Sequence, residues 1–183
     1  DVCETTTEIT ITANRDNPVH GKSSSPDRRD EVHNWSTVEI LSKADYTVAG
    51  LFGFNWFDNI TSSQTVVSAT LRLTIDEINQ ANSSNDYHAY GTNDDWDEST
   101  LSWNSYLSKK PNTGDGFSSL DNKTITSTGA YDFDVTSYVQ TVHNADNSSL
   151  SFWVEDLADS GQTVEMQTEK NSGTRAQLIL SVR

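Results

Sequence analysis

Hydrophobic and polar residues alternate along most of this chain, as they do in β-strands that bury one face. The clearest case is the stretch VVSATLRLTI, where one face carries Val67, Ala69, Leu71, Leu73 and Ile75. Similar alternation predicts strands at residues 5–12, 38–41, 46–57, 87–92, 150–156, 163–169 and 176–183. Short strands at this spacing favour two packed antiparallel sheets. The sequence therefore predicts an all-β fold, a single antiparallel β-sandwich of jelly-roll type spanning residues 1–183.

The hydrophobic period changes once, within residues 131–143. Tyr131 and Phe133 still alternate with aspartates, but the apolar residues that follow lie at helical spacing, namely Val135, Tyr138, Val139 and Val142. Asp134 or Thr136 is available to cap the first turn. One short helix is predicted near residues 135–143.

Two segments near the N-terminus differ from the rest. Residues 14–37 are polar and contain two prolines and a glycine, which predicts a long surface loop. Before them, residues 1–12 end in a β-branched strand with Ile9 and Ile11 on one face. That strand either closes its own sheet or leaves it to pair with the sheet edge of another copy.

Composition narrows the range of partners. The formal net charge of −15 disfavours nucleic acid and anionic membrane surfaces, and no apolar run is long enough to span a membrane. The single cysteine, Cys3, excludes an intrachain disulfide but leaves a bond to another chain open. The chain begins at Asp1 without an apolar leader, as expected of a processed secreted protein or an excised domain.

The stretch WDESTLSWN joins two of the predicted strands and contains two tryptophans. Leu101 and Trp103 alternate with Ser102, which predicts packing on a half-buried strand and leaves Trp96 as the exposed residue. Trp153 lies on the strand face opposite Phe152 and Val154. A two-layer sandwich would place it outside, so Trp96 and Trp153 are the candidates for contact with a carbohydrate or an interface.

Acidic residues crowd the same stretch, at Asp94, Asp95, Asp97 and Glu98. They form either a calcium site or a solvated acidic loop, and their spacing is not that of an EF-hand. Adjacent carboxylates such as Asp97 and Glu98 do not face each other as a glycosidase pair must. The four histidines are dispersed, and no nucleophile motif or phosphate loop is present. The sequence thus predicts no catalytic residues and no cofactor other than possible calcium.

N-glycosylation sequons occur at Asn34, Asn59, Asn82, Asn122 and Asn147. Because serine and threonine are frequent in this chain, the number of sequons is only slightly above the number expected by chance. Their positions are more informative, because Asn59, Asn82, Asn122 and Asn147 fall in predicted turns, where a glycan can project into solvent. A glycoprotein with covalent N-glycans is therefore expected if the chain passes through a glycosylating secretory route.

A resemblance to a known family rests on four segments taken in order: LRLTI, WDESTLSWN, YDFDVTSYVQ and RAQLILSV. Their order and spacing resemble DNRLRE-type domains, which are similar to the family-96 carbohydrate-binding modules. The resemblance covers residues 65–183, whereas residues 1–58 fit only loosely. There the stretch AGLFGFNWFD keeps the aromatic residue of the family pattern but lacks its basic residue.

The resemblance implies a secreted β-jelly roll without catalysis of its own, attached to polysaccharide-active enzymes or displayed at cell surfaces. Two functions remain open. The first is an extracellular structural or adhesive protein that assembles copies of itself head to tail into a fibril or surface layer by strand addition. The alternative is a carbohydrate-binding module that recognises an extracellular polysaccharide through exposed aromatics. The acidic charge disfavours anionic polymers in this second case, unless a local basic patch faces the ligand, such as Lys22, Arg28 and Arg29, or Lys109 and Lys110.

Overall fold

The structure is a computed structural model, and it describes residues 5–22, 29–33, 35–56, 59–92, 94–106, 118–168 and 174–183. Its elements, in chain order, are β1 (Thr7–Thr12), β2 (Arg15–Lys22), β3 (Thr37–Lys43), β4 (Tyr46–Asn55), β5 (Val66–Ile75), β6 (Glu77–Asn79), β7 (Tyr87–Thr92), α1 (Trp103–Tyr106), β8 (Asp121–Lys123), β9 (Gly129–Asp134), α2 (Thr136–Asn144), β10 (Ser149–Asp156), β11 (Thr163–Gln167) and β12 (Gln177–Val182).

Two antiparallel sheets contain all of these strands. Within the described residues, a four-stranded sheet has the order β1-β12-β5-β9, and an eight-stranded sheet has the order β6-β11-β3-β4-β10-β7-β8, with β2 paired to β4. The core lies between the sheets and includes Phe52, Phe54 and Phe152 from the larger sheet and Leu71 and Leu180 from the smaller. The prediction of an all-β antiparallel sandwich of jelly-roll type is confirmed.

Strand β5 follows its predicted alternation except at its first two residues, Val66 and Val67. Ala69 and Ile75 are buried as expected, but Val67 is 43% exposed and its neighbour Val66 is buried instead. The register of β5 with β12 shifts between Ser181 and Val182, so that Val182 pairs with Val66. A bulge of this kind reverses the face of the residues before it, and a strict two-residue period does not reveal it.

The loop predicted over residues 14–37 is wrong in its first part. Arg15–Lys22 forms β2, which pairs with β4 from Gly53 to Thr47. Its Pro18 faces Gly50 in an edge pairing, a position where a strand tolerates the missing N–H of proline. Residues 23–28 and 34 lie outside the described residues.

The N-terminal strand β1 pairs with β12 of the same chain, from Thr7 opposite Val182 to Thr12 opposite Gln177. Ile11 is buried in the core, and Ile9 packs against it. In this structure β1 closes its own sheet, which is the first of the two expectations for it. Cys3 and the rest of residues 1–4 lie outside the described part of the chain.

The helix predicted near residues 135–143 is confirmed as α2 (Thr136–Asn144), with Val139 and Val142 buried. Asp134 Oδ1 accepts a hydrogen bond from the Thr136 backbone N–H at 3.0 Å. Thr136 uses its own hydroxyl to bind β5, where it accepts a hydrogen bond from the Ala69 N–H at 3.0 Å. The short helix is thereby attached to the smaller sheet at its first turn.

Candidate functional site

A second hydrophobic cluster lies on the outer face of the eight-stranded sheet. Trp153 of β10 points away from the sandwich core, as predicted, and lies beside Leu51 of β4. Trp96 and Leu101, from the segment that follows β7, complete the cluster over this face. As a result Trp153 is 1% exposed and Trp96 is 8% exposed. The prediction that these two tryptophans are exposed for carbohydrate contact is wrong, because another segment of the chain covers them.

Arg15 of β2 fastens this covering segment to the sheet. Its Nη1 donates hydrogen bonds to the carbonyl oxygens of Asp94 and Trp96 at 3.1 and 3.0 Å, and its Nη2 forms an ion pair with Asp94 Oδ1 at 2.5 Å. Ser151 Oγ also donates to Asp94, and accepts a hydrogen bond from Trp96 Nε1 at 2.8 Å. Trp96 is therefore a structural residue with its polar atom satisfied inside the protein.

The predicted calcium ligands are Asp94, Asp95, Asp97 and Glu98. Three of these carboxylates, those of Asp94, Asp97 and Glu98, accept hydrogen bonds from separate protein groups, and the calcium site stays a prediction. Asp97 Oδ1 accepts from the Ser99 backbone N–H at 2.7 Å, and Glu98 Oε1 accepts from the Asp16 backbone N–H at 2.8 Å. Within the described residues, no group of three or more His, Cys, Asp or Glu side chains is arranged to hold a metal ion.

Trp103 begins a single helical turn, α1, and not the half-buried strand expected there. Ser102 and Ser105 cap the turn reciprocally. The Ser102 N–H donates to Ser105 Oγ at 2.8 Å, and the Ser105 N–H donates to Ser102 Oγ at 3.3 Å; this is the arrangement of a capping box, with serine in place of glutamate. The turn leaves the Trp103 ring half-buried, with its centroid 5.6 Å from that of Trp153.

A cleft of about 400 Å³ opens beside Trp103 on this face of the larger sheet. Its charged and apolar lining comes from Arg29, Trp103, Glu155, Asp156, Leu157 and Asp159. The volume lies within the range of about 300–1,000 Å³ that is common for small-molecule sites. An aromatic ring, a guanidinium and carboxylates thus border one concave surface.

Gly21 of β2 fixes how closely the Trp103 ring approaches the sheet. A Cβ atom at position 21 would lie 2.4 Å from the Trp103 ring, far inside van der Waals contact. Glycine is the residue that allows such close approach of a side chain to the backbone. The ring of Trp103 therefore rests directly on the β2 backbone at the edge of the cleft.

Asp159 presents its carboxylate from a strained turn. Its φ is 50°, in the left-handed region that is uncommon for residues other than glycine. Ser42 Oγ donates to Asp159 Oδ1 at 2.6 Å, and Ser42 O accepts a hydrogen bond from the Gly161 N–H at 2.8 Å. Asp159 is exposed, and its second carboxylate oxygen accepts no hydrogen bond from any residue that the structure describes.

Asp156 has a structural role at the base of the same turn. It is 2% exposed. Its Oδ1 accepts hydrogen bonds from the N–H groups of Asp86 and Ala158, both at 3.0 Å, and its Oδ2 accepts one from Ser160 Oγ at 2.6 Å. A buried carboxylate with this many donors holds the turn that carries Asp159 in place.

A second pocket, of about 530 Å³, lies where α2 meets the turn before β5. Its lining includes Trp56, Thr61, His143, Asp146 and Asn147. Trp56 is 1% exposed, stands edge-on to His143 with centroids 5.8 Å apart, and donates its Nε1–H to Asn147 O at 2.7 Å. Among the described residues that line this pocket, the Trp56 ring is buried and offers no exposed face on which a sugar could stack.

The sequons differ in how far their amides are engaged. Asn59 and Asn147 are exposed, whereas Asn82 is half-buried and donates Nδ2–H to Ser160 O at 2.8 Å. Asn122 lies in strand β8, not in the expected turn, and donates Nδ2–H to Asp86 Oδ1 at 2.7 Å. Asn34 lies outside the described residues.

Sequence reasoning missed most of the cleft. It assigned Trp103 to packing, did not single out Asp159, and treated the histidines as dispersed, yet His20 and His33 lie with ring centroids 3.9 Å apart. The serine pair at positions 102 and 105 was the one local signal for a helical turn that turns Trp103 outward. No local signal placed Arg29 and Asp159 beside it.

The fold is that of a jelly-roll domain, and a cleft on its larger sheet is lined in part by the Trp103 ring. The family model of carbohydrate-binding module family 96 matches residues 32–182. The match covers most of the chain, and the chain belongs to this family.

Other comparisons add little. Among solved structures, the chain aligns with a carbohydrate binding module from glycoside hydrolase family 9 (Cel9A) of Ruminococcus flavefaciens FD-1. The identity is 12%, the TM-score is 0.36, and the alignment covers 96% of this chain and 98% of that chain. A likeness at this TM-score carries no functional conclusion. A search of curated proteins found no match.

The helices do not have the length or hydropathy of membrane spans: none in the described part of the chain is long and apolar enough to cross a bilayer.

Proposed function

We propose that this chain is a non-catalytic carbohydrate-binding module that binds an extracellular polysaccharide through the cleft beside Trp103. The observation that carries the proposal is the half-buried Trp103 ring, which borders a cleft together with Arg29 and Asp159. Membership of carbohydrate-binding module family 96 supports the class of ligand.

The chemistry of the lining suits a sugar. A pyranose ring has C–H groups on its faces, which pack against an aromatic ring, and hydroxyls on its edges, which exchange hydrogen bonds with charged side chains. Trp103 supplies the aromatic surface, while Arg29 offers donors and Asp159 offers acceptors.

Replacement of Trp103 by alanine tests the proposal. We expect Trp103→Ala to weaken binding to the polysaccharide recognised by the wild type by at least about tenfold, which corresponds to about 1.4 kcal/mol. Binding is measured by isothermal titration calorimetry after affinity electrophoresis across a panel of neutral and uronic polysaccharides. Circular dichroism and the unfolding midpoint of each variant establish that it is folded.

Tyr131→Ala is the matched control. Tyr131 is also a half-buried aromatic residue that packs against a hydrophobic cluster, but it lies on β9 of the opposite sheet. We expect this variant to lose stability and keep its affinity. Equal affinity of the wild type and Trp103→Ala, or no binding to any polysaccharide by the wild type, would reject the proposal.

The assembly hypothesis has less support than carbohydrate binding. Its motivating strand, residues 1–12, supplies β1, which is paired within its own sheet. Ile9 and Ile11 contribute to the core of the same chain. Head-to-tail assembly remains a prediction, and electron microscopy of the purified protein is the measurement that tests it.

A further inference from the structure

We infer that Asn104 is a positioning residue of the Trp103 cleft, because its side chain ties the segment that carries Arg29 to the helical turn that carries Trp103. This role rests on the proposed function and adds to it the residue that holds two walls of the binding site together. Asn104 is the last residue of the WDESTLSWN stretch, and it is not itself among the residues that line the cleft.

Asn104 bonds the segment of residues 29–33 at two points. Its backbone N–H donates to the carbonyl oxygen of Arg29 at 3.0 Å, and its Nδ2–H donates to Asp30 Oδ1 at 2.7 Å. The first bond does not depend on the side chain, so any residue except proline can make it. The second needs a side-chain donor, and its carboxylate acceptor makes it the stronger kind of hydrogen bond. Together the two bonds fix the orientation of the segment relative to α1.

The two walls rest on consecutive residues of β2. The Trp103 ring lies directly against the backbone of Gly21. The ring of His33, from the other wall, lies beside that of His20, with their centroids 3.9 Å apart. These contacts attach each wall to the sheet separately. Asn104 connects the walls to each other, since it follows Trp103 in the chain and bonds the opposite segment.

The bonded groups lie at the surface, where the connection matters more for binding than for folding. Arg29, Asp30 and Asn104 are all exposed. Loss of one hydrogen bond between exposed side chains usually changes the free energy of unfolding little. A binding segment that is not held in place must instead be ordered when the ligand binds, which weakens affinity. Removal of the Asn104 side chain should therefore appear mainly in affinity.

Asn104→Ala removes the side-chain donor and keeps the backbone bond. The probes are hydroxyethylcellulose, galactomannan and alginate, which include neutral and uronic chains, and the polysaccharide that the wild type binds most tightly is used for every variant. In calorimetry with the full chain, we expect Asn104→Ala to bind about two- to tenfold more weakly than the wild type. The unfolding midpoint should stay close to that of the wild type.

Asn79→Ala is the matched control. Asn79 also donates its Nδ2–H to a carboxylate, that of Glu165, at 3.2 Å. It is exposed as well, but it lies on β6 at the edge of the larger sheet. This variant should keep the affinity of the wild type. An equal loss of affinity in both variants would overturn the role of Asn104.

Exchange of the two bonded groups distinguishes the bond from packing. Asn104→Asp alone places a carboxylate against that of Asp30, and two ionised carboxylates share no donor, so binding should weaken. Addition of Asp30→Asn restores one donor and one acceptor with the bond reversed and the net charge of the wild type. We expect the double variant to return to within about twofold of the wild-type affinity. A double variant that binds no better than Asn104→Asp would contradict the positioning role.

A double-mutant cycle tests whether Asn104 acts through Arg29. Arg29→Ala should weaken binding, and in that background Asn104→Ala should cause no further loss, because the side chain that it positions is absent. Additive losses would mean that Asn104 acts by another route, and the inference would be overturned. It would also be overturned, while the proposed function stands, if Asn104→Ala keeps full affinity and Trp103→Ala does not bind. If the wild type binds none of the wider polysaccharide panel, the proposed function and the role of Asn104 fail together.

Discussion

The guanidinium of Arg15 lies over the ring of Trp96, with Arg15 Cζ 4.7 Å from the ring centroid. The same guanidinium forms the ion pair with Asp94, so one side chain holds both the backbone and the aromatic ring of the covering segment. A cation over a tryptophan face is stabilising, more so when the pair is shielded from water. The contact explains why Trp96, which the sequence of the WDESTLSWN stretch marked as the exposed tryptophan, is a structural residue.

Replacement of Trp96 should therefore affect stability. Trp96→Ala removes a buried aromatic ring, and we expect a loss of about 3–5 kcal/mol in the free energy of unfolding. Trp96→Phe keeps most of the packing but leaves the Ser151 hydroxyl without its donor, at a cost of about 1 kcal/mol. Urea unfolding measures both. A Trp96→Ala protein with unchanged stability and no affinity for polysaccharide would instead restore the original expectation that Trp96 contacts the ligand.

Gly21 should control the position of Trp103. Gly21→Ala places a methyl group 2.4 Å from the indole, so the ring must move away from β2 and the cleft changes shape. We expect polysaccharide affinity to fall by about tenfold and stability by about 1–3 kcal/mol. Gly91→Ala is the matched control, because its methyl group would lie 2.3 Å from the ring of Tyr138, beneath α2. It should cost similar stability and leave affinity unchanged; equal affinity losses in both variants would contradict the prediction.

Strand periodicity was sufficient to predict the architecture. The alternation in β5 and β10 identified which residues enter the core, with Val67 as the exception in β5, and the change of period after Phe133 located α2. It failed at residues 15–22, where proline and charged residues obscure a strand. Asp16 and Asn17 are buried there, because β2 pairs with β4 and is then covered by another segment. Burial by tertiary contact overrides local propensity.

The binding surface could not be predicted in the same way. The strand pattern predicted the correct face for Trp153. Whether that face is exposed to solvent depends on the segment that contains Trp96 and Leu101, which lies far earlier in the chain. The cleft combines Trp103 of α1 with Arg29 and Asp159 from two turns, and only the fold determines the relative positions of these three segments. Sequence patterns report the period of a strand and do not report which loop lies over its outer face.

The stability of the sheet edge should depend on the charge of Glu165. Glu165 pairs across the sheet with Glu39 on one side and Glu77 on the other. Burial first, and then repulsion from these two glutamates, raise the pKa of Glu165. A raised carboxyl pKa means that the protein is most stable when Glu165 is protonated. This contribution is complete below the unfolded pKa of about 4.3 and is lost as the pH rises through the folded pKa.

Glu165→Gln removes the charge and keeps an oxygen for the Asn79 amide, which now donates to Glu165 at 3.2 Å. We expect the variant to be more stable than the wild type at pH 7, by about 0.5 kcal/mol, and equal to it near pH 3. Thermal unfolding at the two pH values measures the difference. If Glu165→Gln were less stable than the wild type at pH 7, the ionised Glu165 carboxylate would be stabilising the folded protein and the prediction would be wrong.

Asp121 should behave in the opposite sense. Burial alone would raise the pKa of Asp121, but the hydrogen bond from Lys123, at 2.7 Å, and backbone donors lower it. One donor is the N–H of Asp134 at 2.9 Å, so Asp121 links β8 of the larger sheet to β9 of the smaller. The stabilisation is present above the unfolded pKa of about 3.9 and is lost as the pH falls through the lowered folded pKa.

Asp121→Asn should therefore destabilise the protein by about 1–2 kcal/mol at pH 7 and by progressively less as the pH falls below about 4. Urea unfolding midpoints across this pH range provide the test. A constant difference from the wild type at every pH would mean that the amide disrupts packing and that the charge has no part in linking the sheets.

The exposure of the sequon amides leads to a selective prediction for glycosylation. Attachment of a glycan to Asn82 or Asn122 would disturb the Nδ2 hydrogen bonds to Ser160 and Asp86. Asn59 and Asn147 are both exposed. Both lie beside the second pocket: Asn147 lines it, and the Asn59 N–H donates a hydrogen bond to the carbonyl oxygen of the lining residue Trp56 at 2.7 Å. In a eukaryotic secretory host we expect glycans at Asn59 and Asn147 and unmodified Asn82 and Asn122, as determined by peptide mapping after enzymatic deglycosylation.

The Asn59→Gln and Asn147→Gln variants should each lose one glycan mass and keep the polysaccharide affinity of the wild type, because the Trp103 cleft is lined by other residues. Full occupancy of Asn82 with Asn59 bare would contradict the prediction.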